Sequence, residues 1–310
     1  MTKKTSEILA NIFKYPPYII ITINYVCTIL GIKFLSDKSY LKALFKYKLG
    51  YDLNLMNPNT YNEKLQWLKL YNRKAEYTVM VDKYNVRDYI VSKIGDEYLI
   101  PILGKWEHFD DIDFDKLPNK FVLKCTHGSG SIAICKNKKE FDFKLARKKI
   151  NIWMKRNFYF YAREWPYKNV VPNVIAEEYL EAKDGQLLDY QLHVFNGLTK
   201  LIYVIIDRFK SRKKNIYNIH WELQKFQHSR PYDEKIKLET PKNLDKMIEI
   251  AEILAANIPY LRVDFYDIDG KLYIGELTFF PSGGFGKLIP FEYDELLGSW
   301  ISLPNFSRTK

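Results

Sequence analysis

The chain has 310 residues, of which 47% are hydrophobic and 27% charged, and its net charge at pH 7 is +11. This composition is typical of globular proteins, and a chain of this length can bury a large core, which excludes a mainly disordered protein or a short binding motif. The three cysteines, Cys27, Cys125 and Cys135, lack metal-ligand spacing. They predict a reducing compartment, hence a cytoplasmic protein, and no zinc site.

The excess of positive charge is concentrated at the N-terminus. Residues 1–50 contain eight lysines against two acids, a net charge of +6. Within them, residues 18–33 are mostly apolar, but they are too few for a membrane span of about 20 residues and no signal-peptidase motif follows. Two interpretations stay open: a helix lying on the anionic inner face of the plasma membrane, or a core helix followed by a solvated basic one. No nucleic-acid recognition motif accompanies the charge, so we expect no nucleic-acid partner.

Next along the chain, helices are predicted before short strands. Apolar residues at helical spacing over residues 61–94 predict two helices, and residues 98–103 predict a short strand. The acidic connector over residues 110–118 contains Asp111 and Asp113, which have the Asp-x-Asp spacing of glycosyltransferase metal sites. Such triplets also arise by chance in acidic loops, and both interpretations stay open.

A hairpin with a small loop follows the connector. Residues 121–126 and 132–135 predict two strands, and Lys124 alternates with the apolar Leu123 and Cys125, so its side chain leaves the opposite face. The loop is small enough for its backbone amides to approach a phosphate, although it matches neither a Walker A loop nor a dinucleotide fingerprint. A plain turn is the alternative. The loop residues are His127, Gly128, Ser129, Gly130 and Ser131.

A basic helix and an acidic strand are predicted after this hairpin. Residues 138–157 predict the helix, and residues 174–180 predict a strand that ends in Glu177 and Glu178. A strand of this type can bind adenine through its backbone while a carboxylate meets the ribose.

The second half of the chain predicts a long hairpin and an amphipathic helix. Residues 189–206 form the hairpin about the Asn-Gly turn at residues 196–197. Thr240 and Pro241 are expected to begin the helix, which ends before Pro259.

The last predicted hairpin carries Asp264 on one arm and Glu276 on the other. Because side chains alternate between faces, a two-residue turn at residues 269–270 would separate the two carboxylates, whereas a three-residue loop ending in a left-handed Gly270 would bring them to one face. We predict the three-residue loop, with Arg262 opposite Glu276 and Asp264 diagonal to it. Since Mg²⁺ binds one or two carboxylates together with substrate phosphates, this pair predicts a magnesium site; an ordinary hairpin with a polar solvent face is the alternative.

The order of these elements resembles the ATP-grasp superfamily, and more closely its TupA-like branch, named for teichuronopeptide biosynthesis and found in polysaccharide gene clusters. The likeness covers roughly residues 45–303. The segments that carry it are YNEKLQWLK at 61–69, FVLKCTHGSG at 121–130, REWPY at 163–167, IAEEY at 175–179 and GELTF at 275–279.

The resemblance implies an α+β fold in which two subdomains with antiparallel sheets clasp ATP, preceded by a helical N-terminal segment. The corresponding divisions are a basic, partly apolar helical segment at 1–60, a first subdomain at 61–173, a second subdomain with the metal site at 174–303, and a tail at 304–310.

It also implies ATP and Mg²⁺ as cofactors and assigns roles to residues of this chain. Asp264 and Glu276 would hold Mg²⁺, although Thr278 stands where many ATP-grasp ligases have asparagine, which leaves a second ion in doubt. Arg208 and Arg262 are candidate clamps for an acylphosphate or the γ-phosphate, with structural salt bridges as the alternative. Lys124 would contact the ATP phosphates, the loop 127–131 would cover them, and Lys83 would stand where the family's first nucleotide-facing lysine lies. Glu177, Glu178 and Leu180 would line the adenine pocket, and His127 is the histidine with a candidate catalytic role.

The activity that follows from the resemblance is ATP-dependent ligation of a carboxylate to an amine through an acylphosphate. The expected partners are a bacterial surface glycan, or its lipid-linked precursor, and an amino acid or other amine. Two alternatives are a glycosyltransferase on the same scaffold, since family members often carry that label, and a nucleotide-binding protein without catalysis.

Overall fold

The computed structural model describes residues 35–182, 187–206 and 213–305, so the apolar stretch at 18–33, Cys27 and Arg208 lie outside the described residues. Its helices are α1 (Asp37–Leu49), α2 (Tyr61–Tyr71), α3 (Glu76–Val81), α4 (Val86–Ile94), α5 (Phe143–Met154), α6 (Tyr159–Ala162), α7 (Leu244–Leu254) and α8 (Glu292–Ser299). Its strands are β1 (Ile102–Trp106), β2 (Phe121–Cys125), β3 (Ile132–Cys135), β4 (Val174–Glu178), β5 (Asp189–Phe195), β6 (Leu198–Ile206), β7 (Lys213–Asn218), β8 (Gln227–His228), β9 (Tyr260–Ile268), β10 (Lys271–Thr278) and β11 (Leu288–Ile289).

The N-terminal helices begin at side-chain caps. Ser36 accepts a hydrogen bond from the backbone N–H of Ser39 at 3.2 Å and starts α1. At α2, Thr60 Oγ1 accepts from the N–H of Glu63 at 3.2 Å, and the Glu63 carboxylate accepts from the N–H of Thr60 at 3.1 Å. This capping box satisfies two of the N–H groups that a helix start leaves without partners.

Helix α2 packs against the C-terminal helix α8. The Asp294 carboxylate on α8 accepts hydrogen bonds from the backbone and side-chain amides of Asn62 at 3.0 and 2.9 Å. The backbones also approach closely at Gly298, where an added Cβ would lie 2.1 Å from the carbonyl oxygen of Asn59. The beginning and the end of the described chain therefore belong to one packed unit.

The first sheet is antiparallel with strand order β1-β4-β2-β3, and α5 packs on it. The predictions of strands over 121–126, 132–135 and 174–180 are confirmed as β2, β3 and β4. Leu123 and Cys125 are fully buried in the core of this sheet, and Lys124 between them leaves the other face.

The second sheet has five antiparallel strands in the order β10-β9-β5-β6-β7. The predicted hairpin at 189–206 is confirmed as β5 and β6, joined at Asn196 and Gly197. Helix α7 covers one face, where the alternate residues of β5 and β9 are apolar and buried. The opposite face carries the polar residues of the same strands, and this face contains the candidate site.

Several predicted boundaries are wrong. Residues 61–94 form three helices rather than two, because the Asp82 side chain accepts the N–H groups of Tyr84 and Asn85 at 2.8 and 3.2 Å and interrupts the helix. The basic helix predicted over 138–157 is a 3₁₀ turn at Lys138–Glu140 followed by α5.

Two other boundaries differ as well. Helix α7 begins at Leu244 rather than at Thr240 and Pro241. The strand predicted at 98–103 begins at Ile102, because the carbonyl oxygen of Tyr98 accepts a hydrogen bond from the N–H of Ile274 at 2.8 Å. Residues before β1 therefore link the edge of the second sheet to the first sheet.

The hairpin of β9 and β10 corrects the predicted register. Its turn has two residues, Asp269 and Gly270, both with positive φ, rather than the predicted three-residue loop. The register shifts further along β10, between Ile274 and Glu276, and this bulge leaves Gly275 without a partner. Glu276 consequently lies directly opposite Asp264, and the residue opposite Arg262 is Thr278 rather than Glu276.

Candidate active site

Two carboxylates and a guanidinium meet on the polar face of the β9–β10 hairpin. Arg262 donates from Nε to Asp264 Oδ1 and from Nη2 to Asp264 Oδ2, both at 2.6 Å, and Nη2 also donates to Glu276 Oε1 at 2.8 Å. Gln191 on the neighbouring strand β5 donates to Asp264 Oδ2 at 3.3 Å. The bulge at Gly275 therefore produces the shared face that the sequence predicted through a different loop.

Burial and charge act against each other in this cluster. The pKa of Asp264 is raised to about 8 as the net result of opposing effects. Burial is the largest cause, the Arg262 guanidinium opposes it, and the carboxylates of Asp189 and Glu276 add to it. Burial alone would lower the pKa of Arg262, but the carboxylates of Asp264 and Glu276 outweigh it and raise that pKa above its usual value. Arg262 thus stays charged between the two acids.

Lysines from two other elements face this pair. Lys83, in the turn before α4, lies with Nζ 4.0 Å from Glu276 Oε2 and donates to the carbonyl oxygen of Gly128 at 2.5 Å. Lys124 on β2 forms an ion pair with Glu177 on β4. Burial would lower the pKa of Lys124, but Glu177 outweighs it and the net shift is upward. For Lys83, burial is the largest cause and the pKa falls.

Of these groups, Lys83, Glu177 and Glu276 line one cleft. Arg87 is a fourth charged residue of the lining, and most of the other side chains there are apolar. The remaining lining residues are Met80, Val81, Val86, Ile90, Leu99, Ile100, Tyr167, Ile274, Gly275 and Leu277.

The side chain of His127 anchors the loop between β2 and β3. Its Nε2 lies 3.1 Å from the carbonyl oxygens of both Trp153 and Arg156, so this nitrogen carries the proton and donates. Burial lowers the pKa of His127. The geometry gives this histidine a structural contact with α5, and its candidate catalytic role stays a prediction.

The other loop residues differ in accessibility. Gly128 is buried against the ring of Phe158, and Ser129 and Gly130 are exposed. Ser131 is buried, and its hydroxyl accepts from the N–H of Cys125 at 3.2 Å. The exposed pair, Ser129 and Gly130, is the part of the loop that is open to a ligand.

The three residues predicted to line the adenine pocket also differ in burial. Glu177 is buried and paired with Lys124, whereas Glu178 is exposed and Leu180 is half-buried beyond the strand. The backbone N–H of Glu178 donates to the carbonyl oxygen of Pro101 at 3.0 Å, which joins β4 to the segment before β1.

The site contains residues that the pattern analysis did not assign. Arg87 lines the cleft and donates to the carbonyl oxygen of Ile100 at 2.8 Å. Glu164 and Lys69 are both buried, and burial raises the pKa of Glu164 and lowers that of Lys69. Both lie in segments that carry the family resemblance, which is the sequence signal that could have indicated them.

The donor set fits a divalent cation. Asp264 and Glu276 stand opposite each other in register, and carboxylate oxygens are the ligands that Mg²⁺ prefers. No group of three histidine, cysteine or acidic side chains within residues 35–182, 187–206 and 213–305 is placed to share a metal ion. The assignment of Asp264 and Glu276 as metal ligands stays a prediction.

Two antiparallel sheets beside a cleft lined by Lys83, Glu177 and Glu276 define an α+β protein of the ATP-grasp type. The chain belongs to the TupA-like ATP-grasp family, whose sequence model matches residues 63–302. No curated protein matches the sequence.

Solved structures with a related arrangement include three bacterial ligases. A D-alanine–D-alanine ligase from Bacillus anthracis in complex with ATP is 17% identical, with 64% of this chain and 55% of that chain aligned and a TM-score of 0.39. An L-amino acid ligase from Bacillus licheniformis is 13% identical over 72% and 49% of the chains, with a TM-score of 0.41. A D-alanine–D-alanine ligase from Helicobacter pylori is 14% identical over 79% and 70%, with a TM-score of 0.44. The chain spans about half the length of the first two, and the family assignment rests on the sequence model.

Proposed function

We propose that this protein is an ATP- and Mg²⁺-dependent ligase that joins a carboxylate to an amine. The observation that carries the proposal is the carboxylate pair of Asp264 and Glu276, which faces Lys83 across the cleft at 4.0 Å from Glu276. A polyphosphate with a divalent cation matches this arrangement, because the acids suit the metal and the lysines suit the phosphate oxygens. Membership in an ATP-grasp family supports ATP as the nucleotide.

The roles of the residues follow from their charges. Asp264 and Glu276 would hold Mg²⁺, which when bound neutralises phosphate charge. Lys83 and Lys124 stabilise negative charge on the phosphates, and the low exposure of both side chains, 16% each, strengthens that interaction. Arg262 fixes the orientation of both acids and keeps a positive charge between them.

The reaction proceeds in two steps. An oxygen of the substrate carboxylate takes the γ-phosphoryl group of ATP, so that a new P–O bond forms, the bond to the β-phosphate breaks and ADP leaves. The neutral amine then attacks the acyl carbon: a C–N bond forms, the C–O bond to phosphate breaks, phosphate leaves with the electron pair and the nitrogen loses a proton. Positioning and electrostatics supply the catalysis, and no protein nucleophile is needed.

The finer part of the proposal concerns the substrates. A carboxylate on a bacterial surface glycan or its lipid-linked precursor, such as a uronic acid, and an amino acid or other amine are the proposed pair. The TupA-like family membership supports this class. Peripheral contact with the inner face of the plasma membrane is supported by α1, whose lysines at 38, 42, 46 and 48 are all exposed. Within the described ranges, every helix is too short or too polar to cross a bilayer.

The glycosyltransferase alternative has less support in the geometry. Asp111 accepts from the N–H of His108 at 3.0 Å, and Asp113 caps the next turn and pairs with Lys116 at 3.1 Å. Both aspartates are exposed and occupied in local turns, and neither lines the cleft.

Thermal unfolding and ADP release test the proposal together. Mg²⁺ with ATP is expected to raise the melting temperature, whereas UDP-glucose is not, and ADP is expected to form when glucuronate or galacturonate and an amine mixture are added. Stabilisation by UDP-glucose alone would contradict the proposal and favour sugar transfer. Binding of ATP without ADP release, with any extracted glycan and amine pool, would favour a nucleotide-binding protein without catalysis.

A further inference from the structure

One tyrosine of the cleft has no role in the reaction steps above. Tyr167 is 9% exposed and lines the cleft together with Lys83 and Glu276. Its backbone is fixed by the 3₁₀ turn Trp165–Tyr167, in which the N–H of Tyr167 donates to the carbonyl oxygen of Glu164 at 3.1 Å. The side chain therefore stands in the wall of the candidate site on a short, defined turn.

Ring contacts join Tyr167 to the loop between β2 and β3. Its ring centroid lies 4.9 Å from that of Phe158, and the two rings pack edge to face. Phe158 in turn covers Gly128, since a Cβ added at Gly128 would lie 3.3 Å from Phe158 Cδ2. The carbonyl oxygen of Gly128 accepts from Lys83 Nζ at 2.5 Å, and the same Nζ lies 4.0 Å from Glu276 Oε2. One aromatic ring thus separates Tyr167 from the loop that is predicted to cover the phosphates.

A second set of contacts joins the same turn to the hairpin that carries the carboxylate pair. Trp165 packs on Tyr77 with ring centroids 6.0 Å apart, and Tyr77 packs on Phe279 at 4.2 Å. Phe279 directly follows β10 and is three residues beyond Glu276. Contacts with both the phosphate loop and the hairpin therefore place Tyr167 between them.

The hydroxyl of Tyr167 is available to a ligand. Among the residues that the structure describes, none forms a hydrogen bond with it. Its oxygen is not closed off from solvent, as a fully buried hydroxyl without a partner would be. A phenol has one O–H donor and an ordinary pKa of about 10. Burial and the carboxylates of Glu164 and Glu276 raise the pKa of Tyr167 further, so the hydroxyl keeps its proton at pH 7 and can donate.

We propose that the Tyr167 hydroxyl donates a hydrogen bond to an oxygen of the γ-phosphoryl group of ATP and so distinguishes ATP from ADP. This inference rests on the proposed ligase function and adds a residue that recognises the group to be transferred. A hydrogen bond to a charged oxygen is stronger than one between neutral groups, and a site screened from water strengthens it further. A neutral donor also suits this wall, because a cation there would pair with Glu276 and compete with Mg²⁺.

The position of Tyr167 favours the γ-phosphoryl group over the rest of the nucleotide. The residues predicted to line the adenine pocket lie at the end of β4 and just beyond it, whereas the ring contacts of the Trp165–Tyr167 turn lead to the loop 127–131 and to the end of β10. The phosphates extend away from the ribose, so the γ-phosphoryl group lies farthest from β4. It is also the group that a metal ion held by Asp264 and Glu276 would contact, because Mg²⁺ bridges the β- and γ-phosphate oxygens.

The affinities for two nucleotides test the inference without a known substrate. We expect Tyr167→Phe, which keeps the ring and its packing on Phe158, to weaken binding of the non-hydrolysable ATP analogue AMP-PNP with Mg²⁺ by about tenfold. Binding of ADP with Mg²⁺ should change much less, because ADP lacks the γ-phosphoryl group. Isothermal titration calorimetry measures both affinities. Tyr161→Phe, which removes an exposed hydroxyl on α6, should bind both nucleotides as the wild type does.

Two results would overturn the inference while the ligase function stands. Equal losses for AMP-PNP and ADP would place the hydroxyl on a part of the nucleotide that both share, and unchanged affinities would remove it from the nucleotide site. The ligase function is judged separately, by ADP release from the wild type with a carboxylate and an amine. If the wild type binds neither nucleotide, ATP dependence fails and the inference fails with it.

The melting temperature separates this role from a structural one. Without nucleotide, Tyr167→Phe should melt as the wild type does, since the missing hydroxyl has no partner in the described part of the chain. With AMP-PNP and Mg²⁺ the variant should be stabilised less than the wild type, and with ADP and Mg²⁺ equally. A large fall in the melting temperature without nucleotide would show that the hydroxyl supports the fold, contrary to the inference.

Discussion

The carboxylate of Glu276 has a smaller structural part in the hairpin than its partner Asp264. Its side chain is 32% exposed, against 6% for Asp264, and it shares Arg262 with that residue. Loss of its charge therefore leaves the Arg262–Asp264 pair intact. The exposure of Glu276 makes it the better position at which to separate function from folding.

We expect Glu276→Gln to abolish ATP-dependent turnover while the protein stays folded. The amide keeps the size of the side chain but weakens the attraction for a divalent cation, so the loss should exceed the roughly 100-fold typical of residues that only support a metal ligand. ADP release at saturating ATP measures it, with circular dichroism as the check on folding and Glu295→Gln, which removes an exposed carboxylate on α8, as the control. Retained activity would remove Glu276 from the metal site.

The buried pair of Lys124 and Glu177 gives a second prediction at single residues. Lys124→Met leaves the Glu177 carboxylate buried without a partner, and we expect the free energy of unfolding to fall by about 3 kcal/mol. Lys124→Met combined with Glu177→Gln should lose less. Urea unfolding measures both, and Lys120→Met, which breaks the half-exposed pair with Glu181, should have little effect.

The pH dependence of this pair has a defined sign. The folded state raises the pKa of Lys124, so the stabilisation is fully present below the ordinary lysine pKa of about 10.4 and is lost as the pH rises through the higher folded value. The stability gap between the wild type and the double variant should therefore be wider at pH 7 than at pH 11. A gap that widens with pH would contradict the assignment.

At the scale of elements, the β9–β10 hairpin shows what the sequence can and cannot predict. Alternation of apolar and polar residues indicated both arms and the convergence of Asp264 and Glu276, because burial of one face selects the register. The predicted turn was one residue too long. A two-residue turn with a later bulge at Gly275 places Asp264 and Glu276 on one face, as the predicted three-residue loop would. The residue pattern alone does not distinguish these two backbone arrangements.

The burial of isolated polar residues is the second feature that the sequence did not predict. No periodic pattern in the sequence distinguishes Glu164 or Lys69 from a solvated side chain. The contacts that bury Lys69 come from residues 93 and 214 positions away. The start of α2, by contrast, can be predicted from the local sequence. Its capping box is local, and the position of Thr60 before an apolar helix is readable in the sequence.

The contact of α8 with the start of α2 leads to a prediction about packing. Gly298→Ala places a Cβ 2.1 Å from the carbonyl oxygen of Asn59 and 2.7 Å from the backbone nitrogen of Tyr61, and backbone atoms cannot move aside as a flexible side chain can. We expect a loss of about 3 kcal/mol in the free energy of unfolding. Chemical denaturation measures it.

Gly270→Ala is the matched control for that prediction. Its φ of 87° is unfavourable for alanine, but nothing lies within 4 Å of the added atom, so only a conformational cost of about 1 kcal/mol is expected. Equal losses in the two variants would show that helix α8 yields to the methyl group.

At the scale of the whole molecule, the two sheets and the turn before α4 contribute different groups to the candidate site. The first sheet supplies Lys124 and Glu177, the second supplies Asp264 and Glu276, and the turn before α4 supplies Lys83. The resemblance placed residues 174–303 in the second subdomain, but β4, which carries Glu177, pairs with β1 and β2 in the first sheet. The match over residues 63–302 confirms the family. Residue patterns alone predicted the separate hairpins but not their mutual placement, because that depends on contacts between distant segments.

The buried ammonium of Lys69 has a consequence for how the chain can be cut. One side chain ties α2 to the end of α6 and to the loop at Pro281–Gly284, segments separated by 93 and 214 positions in the sequence. A fragment that starts after α2 would leave the carbonyl oxygens of Ala162 and Gly283 without the Lys69 donor. A fragment that stops before the loop would remove the Gly283 carbonyl oxygen, one of the three acceptors of the buried Lys69 ammonium. Limited proteolysis should accordingly yield no stable product that lacks either end of residues 61–284, and shortened versions for expression must retain both.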